Sequence, residues 1–426
     1  MIKKILLIII SFSILLAISF IAINKFHAVR EFKRTASKIT VNISKTFKIK
    51  EIKSHYSKLV KTDKITKLYK KIDGKFKECG YLGPNVELEL DKINIDETTQ
   101  LFKVKSLDEE YYVNYKYLSK IDKLSEYDDR YKNYIPFDEN IITDNDTSFY
   151  DSDNKLVYSF NKSFNLPILV KDDKFYHVIY NNRLLKIKRT DVVNTVYNHN
   201  SSVEKETAIP TILYHFIYDE NKEKCNEIIC HKMSEVQKNI DMLKRNNYFS
   251  VTMDEFEKFI DGNINLPKNS ILITIDDGGF AYNAKKIFTE NKINATLFVV
   301  SSWFNPHEFE SEYLEVHSHS DNLHITGVCP MGEQGGPIQC LDRSTLLADL
   351  KTSREKTNNT IAFSYPFYDY NEYSISVLKE AGFRLGFGGL YAGGYYQTHV
   401  GYDKFRIPRI TILSSTTTKD LEDAIR

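Results

Sequence analysis

From Pro210 onward the chain keeps one rhythm, in which short apolar runs alternate with stretches of helical periodicity. PTILYHF, Ile271–Ile275, Ala295–Val300, Thr360–Ser364 and Arg384–Phe387 read as strands. Met233, Val236, Ile240 and Leu243 recur at helical spacing, Ala284–Glu290 reads as a second helix, and Glu372–Ala381 as a third, stopped by Gly382. Strand–helix alternation over about 220 residues restricts the fold to a parallel α/β barrel and argues against a sandwich. In such barrels the groups that do chemistry sit at the C-terminal ends of the strands. One strand, Ile271–Ile275, runs straight into Asp276, Asp277 and two glycines.

Two adjacent carboxylates after a strand are, by themselves, an ordinary turn. The segment HSHSDNLH, residues 317–324, changes their weight, because three of the chain's eleven histidines fall within eight residues. His319 and His324 together with Asp277 form a two-imidazole, one-carboxylate donor set, which suits a zinc-type site with an open position for water. Asp276 is then left free to act as a base. His317 is read as a neighbour of this set and not as a ligand. The combination says hydrolase.

The remainder of the chain is organised differently. Its 426 residues exceed one ordinary domain, and 42% apolar with 27% charged residues is a globular composition. The net charge of +1 hides an asymmetry: residues 1–75 carry eighteen Lys/Arg against four Asp/Glu, so the body is mildly acidic. Nucleic acid is therefore excluded as a partner of the main domains, and the basic leader suits anionic lipid or an anionic wall polymer. Lys3 and Lys4 precede an apolar run from Ile5 to Ile23, long enough to span a bilayer core. Residues 1–26 are thus expected to be a signal anchor, with a cleaved signal peptide as the alternative, and the protein to be extracytoplasmic, anchored to the membrane or secreted to the wall. A Lys-rich, partly helical stalk is expected over 27–78. Alternating, Tyr-rich runs with Asp/Asn turns then suggest two small all-β barrels, 79–130 and 131–200, weakly similar to bacterial SH3-like domains. Tyr111, Tyr112, Tyr115 and Tyr117 read as half-buried strand residues, with stacking on sugar rings as the functional alternative. Five cysteines allow two local disulfides, Cys225 with Cys230 and Cys329 with Cys340, leaving Cys79 odd.

TIDDGG, SHSDNLH and FSYPFYDYN resemble the first three motifs of the NodB-homology polysaccharide deacetylases, carbohydrate esterase family four. ILYHF, LPKNSILIT and FRIPRI are similar to the branch acting on poly-N-acetylglucosamine and related wall glycans, and the likeness spans about residues 208–412. The resemblance implies an α/β fold with a distorted (β/α)7 barrel as the C-terminal catalytic domain, residues 201–426. It implies an N-deacetylase of N-acetylglucosamine polymers, with peptidoglycan the first substrate and exopolysaccharide the second. It makes Asp276 the general base and Asp277, His319 and His324 the ligands of a divalent metal, zinc first and cobalt, nickel or manganese as substitutes. The backbone N–H of Phe367 becomes the oxyanion contributor and His215 the general acid, with His399 as fallback. No protein partner is implied. Two departures stand out: many members tether the base with an arginine two residues before the motif's proline, where this chain has Ser364, and many carry a late Leu-x-His acid that is absent here.

Overall fold

The computed structural model describes residues 57–96, 99–127, 129–389 and 397–426. The expected membrane helix lies outside the described residues, among which no helix is long and apolar enough to cross a membrane. The described chain forms two compact units. Residues 57–126 and 148–162 belong to the first, and 127–147 with 163–426 to the second.

The first unit is all β, and it begins earlier than expected. The stretch assigned to a stalk is already strand from Leu59–Thr62 onward, followed by Thr66–Ile72 and Lys75–Leu82. The last two form a hairpin across Asp73-Gly74, both at positive φ, with Ile72 opposite Lys75. The lysines misled because they occupy the outward positions of these strands, while Val60 and Leu68 alternate inward and are buried. Leu156–Phe160 returns to this unit by pairing antiparallel with Gly80–Leu82. A Cβ at Gly80 would meet the Ser159 carbonyl oxygen at 2.0 Å, so glycine permits that approach. Tyr111 and Tyr112 are buried, and Tyr115 and Tyr117 half-buried.

The division into successive barrels at 130/131 does not hold either. Residues 148–162 join the first unit, whereas most of the expected second barrel belongs with the catalytic part. There Ile135 and Val170 bridge to Asn265 and Ile264, and Val170 shares a core with Ile209, Phe256 and Leu272. Arg130 donates to the Glu255 carboxylate and, at 3.0 Å, to the Ser250 carbonyl.

The catalytic part is α/β. Its parallel strands are β1 (Ala208–Tyr214), β2 (Ser270–Ile275), β3 (Ala295–Val299), β4 (Leu314–Ser318), β5 (Ala362–Ser364) and β6 (Leu385–Phe387), hydrogen-bonded in that order. β7 (Gln397–His399) runs antiparallel to the start of β1, and β8 (Ile410–Thr411) runs parallel to it. Ile407 also bridges Phe387 of β6, so one stretch of chain is bonded to both edge strands. Helices α1 (Met233–Arg245), α2 (Met253–Ile260), α3 (Ala281–Asn291), α4 (Arg343–Lys356), α5 (Glu372–Glu380) and α6 (Thr418–Ala424) fill the connections. In α1 the buried Val236, Ile240 and Leu243 are the expected stripe, and all six residues of β2 are buried. Because β1 to β6 and β8 are parallel, their C-terminal ends gather at one end of the sheet, and the site is built there.

Candidate active site

His215, Asp276, Asp277, His319 and Phe367 each sit just past the end of a parallel strand. Tyr214 pairs with Ile275, and the Asp276 N–H donates to the Tyr214 carbonyl at 3.0 Å, so His215 and Asp276 leave neighbouring strands side by side. The chain then turns sharply: Asp277 has φ 75° and Gly278 φ 100°. A Cβ at Gly278 would come 2.8 Å from the Phe304 ring, and one at Gly279 would come 2.7 Å from that of Phe216. Ser320 and Phe367, on the turns after β4 and β5, also hold positive φ. With Phe280 and Tyr368 on the same turns, five non-glycine residues hold this uncommon conformation at one end of one sheet, which marks a built site.

Asp277, His319 and His324 come together as the sequence predicts. Asp277 Oδ1 lies 3.2 Å from His319 Nε2 and 3.1 Å from His324 Nε2, and one ligand atom from each lies within 4.8 Å of the others. His319 donates through Nδ1 to the Ser364 carbonyl at 2.9 Å, which fixes its tautomer and leaves Nε2 for the cluster. This donor set fits a zinc-type ion. His324 is packed between Phe367, with ring centres 4.3 Å apart, and Trp303, at 5.1 Å. Burial works to raise the Asp277 pKa, but the two imidazoles override it and hold the carboxyl far below its usual range. His319 is raised: burial works against its charge, and Asp276 and Asp277 outweigh that. His317 stays outside the cluster, buried near Phe298, and burial pushes it down to about 3.

Asp276 is 1% exposed and does not lack its arginine. Arg409, fully buried, donates from Nη1 to Oδ1 and from Nη2 to Oδ2, both at 2.8 Å. Its Nε donates to the Gly388 carbonyl at 2.8 Å, and Nη2 also reaches Ser364 Oγ at 2.9 Å. Ser364 Oγ in turn donates to Asp276 Oδ2 at 2.9 Å. The role expected two residues before Pro366 is therefore carried by Arg409, from just before β8, with Ser364 as a bridge. Burial favours the neutral acid, but the Arg409 charge, helped by His319, keeps Asp276 ionised below its usual pKa. Within FRIPRI, the sequence offered one signal for this residue, a cation set between Pro408 and Ile410.

His215 is buried, its Nδ1 makes no hydrogen bond, and burial lowers its pKa against the pull of Asp277 and Asp276. Behind it, His231 lies on the strand Cys230–Lys232, packs edge-on against Tyr214, and is driven by burial down to about 4. His399 does not serve the site. It pairs with Ala208 at the opposite end of β1, about 20 Å of strand away from His215. Phe367 lies in the turn after β5, with its ring beside that of His324. Cys225 is bonded to Cys230 and Cys329 to Cys340, while Cys79 is a free, half-buried thiol pushed up to about 11 by burial.

Residues 263–386 match the family described as Polysaccharide deacetylase, and the chain carries a domain of that class. Solved structures to which the chain is similar include a de-N-acetylase from Aggregatibacter actinomycetemcomitans, at 18% identity over 51% of this chain and 99% of that one, with a TM-score of 0.45. IcaB from Ammonifex degensii is 18% identical over 53% and 99%, with a TM-score of 0.44. BC0361, a polysaccharide deacetylase from Bacillus cereus, is 16% identical over 72% and 94%, with a TM-score of 0.42. A search of curated proteins finds no match.

Proposed function

We propose that this protein is a metal-dependent N-deacetylase that hydrolyses the acetamide of N-acetylglucosamine residues in a bacterial cell-envelope glycan and releases acetate. The observation that carries the reading is the division of labour between adjacent carboxylates. Asp277 faces two imidazoles, whereas Asp276 is held in a bidentate grip by Arg409 and kept out of the ligand set.

Asp277, His319 and His324 would hold the ion, zinc by donor type. When bound, it supplies Lewis acidity toward the acetamide carbonyl and makes a coordinated water easier to deprotonate. Asp276, ionised and fixed in orientation, takes the proton of the attacking water. The Phe367 N–H, in the turn beside His324, would donate to the developing oxyanion. His215, on the neighbouring strand end, delivers a proton to the leaving amine. Because burial keeps it neutral at rest, the proton it delivers is the one that Asp276 has taken from the attacking water, passed on to His215 before the C–N bond breaks.

Peptidoglycan is the first substrate, because a basic leader suits an enzyme held near the wall; exopolysaccharide poly-N-acetylglucosamine is the second. The two disulfides support an extracytoplasmic location, as does the apolar run from Ile5 to Ile23, which suits a membrane tether. The test incubates the zinc-loaded protein with each polymer and measures acetate. Release from an N-acetylated glycan is expected. No release from either polymer would favour a wall-binding module, and release only from O-acetylated glycan would identify an esterase using the same site.

A further inference from the structure

The chain's single tryptophan stands where the mechanism does not use it. Trp303 is 50% exposed although its ring meets His324 edge-on. Large apolar side chains left half in water beside a catalytic centre need a reason, and the backbone shows that this one is held in place. Val300 N–H donates to the Asp277 carbonyl, and Ser301 and Ser302 N–H donate to the carbonyls of Ser320 and Asp321, at 3.1–3.3 Å. The Trp303 and Phe304 N–H groups fold back on the Val300 carbonyl. The loop after β3 is thus bonded to both turns that carry the metal ligands, which fixes the backbone of Trp303 relative to them.

Trp303 also forms one wall of a cleft of about 410 Å³, lined further by Ser301, Ser302, Asn305, His307 and Lys356 among others. An exposed aromatic face with hydroxyl, amide, imidazole and ammonium groups around it matches a pyranose ring, which is apolar on its C–H faces and hydrogen-bonding at its rim. The ammonium and the imidazole of the lining both have local partners. Lys356 Nζ lies 2.6 Å from Asp321 Oδ1, which also accepts from Ser301 Oγ, and His307 Nδ1 lies 3.5 Å from Glu310. The cleft is therefore polar without a strong net field of either sign.

We propose that Trp303 is the stacking platform of a saccharide subsite that binds the sugar next to the one being deacetylated. The inference rests on the glycan deacetylase reading and deepens it. The enzyme then requires an oligomer, because a single N-acetylglucosamine fills the metal side and leaves Trp303 uncovered.

With one tryptophan in the chain, its fluorescence reports this face alone. The experiment titrates the full-length, zinc-loaded protein with the β-1,4 trimer of N-acetylglucosamine and, separately, with the monosaccharide, and follows indole emission. Because this needs no turnover, it can fail while acetate release stands, or hold while acetate release fails. A saturable emission change is expected with the trimer, at concentrations at least about tenfold below any change with the monosaccharide. Trp303→Ala is expected to raise KM for the trimer about tenfold with kcat much less affected, and Trp303→Phe to recover most of the loss. The phenylalanine variant keeps a ring against His324, so zinc content measured on both variants separates a lost platform from a disturbed ligand. Emission unchanged by the trimer, or a KM unchanged in zinc-loaded Trp303→Ala protein, would overturn the proposal.

Discussion

The two halves of the site are built in opposite ways. The ligand half draws Asp277, His319 and His324 from two turns and leaves His324 partly open, its side chain 17% exposed. The proton-handling half draws Asp276, Ser364, Arg409 and His215 from four strand ends, and its central ion pair is sealed, with side chains 2% and 0% exposed. An ion with one open position needs an accessible face, so that half cannot be buried completely. A base needs fixed orientation and ionisation, which a buried guanidinium gives and bulk water does not. Adjacent residues 276 and 277 thus live in different environments because the positive φ at Asp277 turns the two side chains apart.

The largest effect should come from the ligand half. Asp277→Ala is expected to abolish stoichiometric zinc uptake, read by metal analysis of the dialysed protein, and acetate release with it. Stoichiometric zinc in that variant would break the division of labour. Next in size is the sealed pair. Arg409→Met leaves the Asp276 carboxylate buried and unpaired, a change expected to cost about 3–5 kcal/mol in chemical denaturation. It should also move the acidic limb of the pH–rate profile upward, since the group holding Asp276 ionised has gone. A limb that stays put would place the base elsewhere.

A smaller effect concerns the histidine behind His215. His231 is held near 4 by burial, whereas an unfolded histidine titrates near 6.5, so the unfolded state binds more protons between these values. The stability that neutral His231 contributes is complete above about pH 6.5 and is lost as pH falls toward 4. Between pH 6.5 and 5 this amounts to about 2 kcal/mol. Thermal melts of His231→Phe across that window should show a correspondingly flatter pH dependence, and an unchanged slope would remove His231 from the account. The smallest effect is at His399, where alanine should leave kcat/KM within about twofold, as for a surface substitution remote from the site.

The same contrast explains what the sequence made legible. Histidine and aspartate in a short segment are a restricted chemical vocabulary, so the ligand set could be read from HSHSDNLH and DDGG without knowing which strands are neighbours. The arginine partner of Asp276 lies 133 residues away, and only the contacts of 407–412 with both edge strands bring it to the base. No local pattern encodes that closure. Ser364 looked like a loss because it occupies the expected arginine position, yet its hydroxyl bridges the relocated pair. Five of the parallel strands and three of the helices after Pro210 were legible because both periodicities are strong there, with ends off by at most three residues; the strand Leu314–Ser318 and the helices Met253–Ile260, Arg343–Lys356 and Thr418–Ala424 were not read. The Lys-rich first strands were not, since charge on their outward face masked the inward alternation of Val60 and Leu68. Interleaving of 148–162 with the first unit depends on long-range pairing with Gly80–Leu82. Composition carries no record of such a return.

The central claim is that two neighbouring aspartates hold separate offices, and one paired measurement tests it directly. Asp276→Asn and Asp277→Asn are compared for zinc stoichiometry and for acetate release from an N-acetylglucosamine oligomer. The account predicts that Asp276→Asn keeps its zinc and loses activity by about 10²–10⁴-fold, as expected when a general base is removed, while Asp277→Asn loses both. An Asp276→Asn protein that binds no zinc, or one that retains near-normal activity, would contradict it.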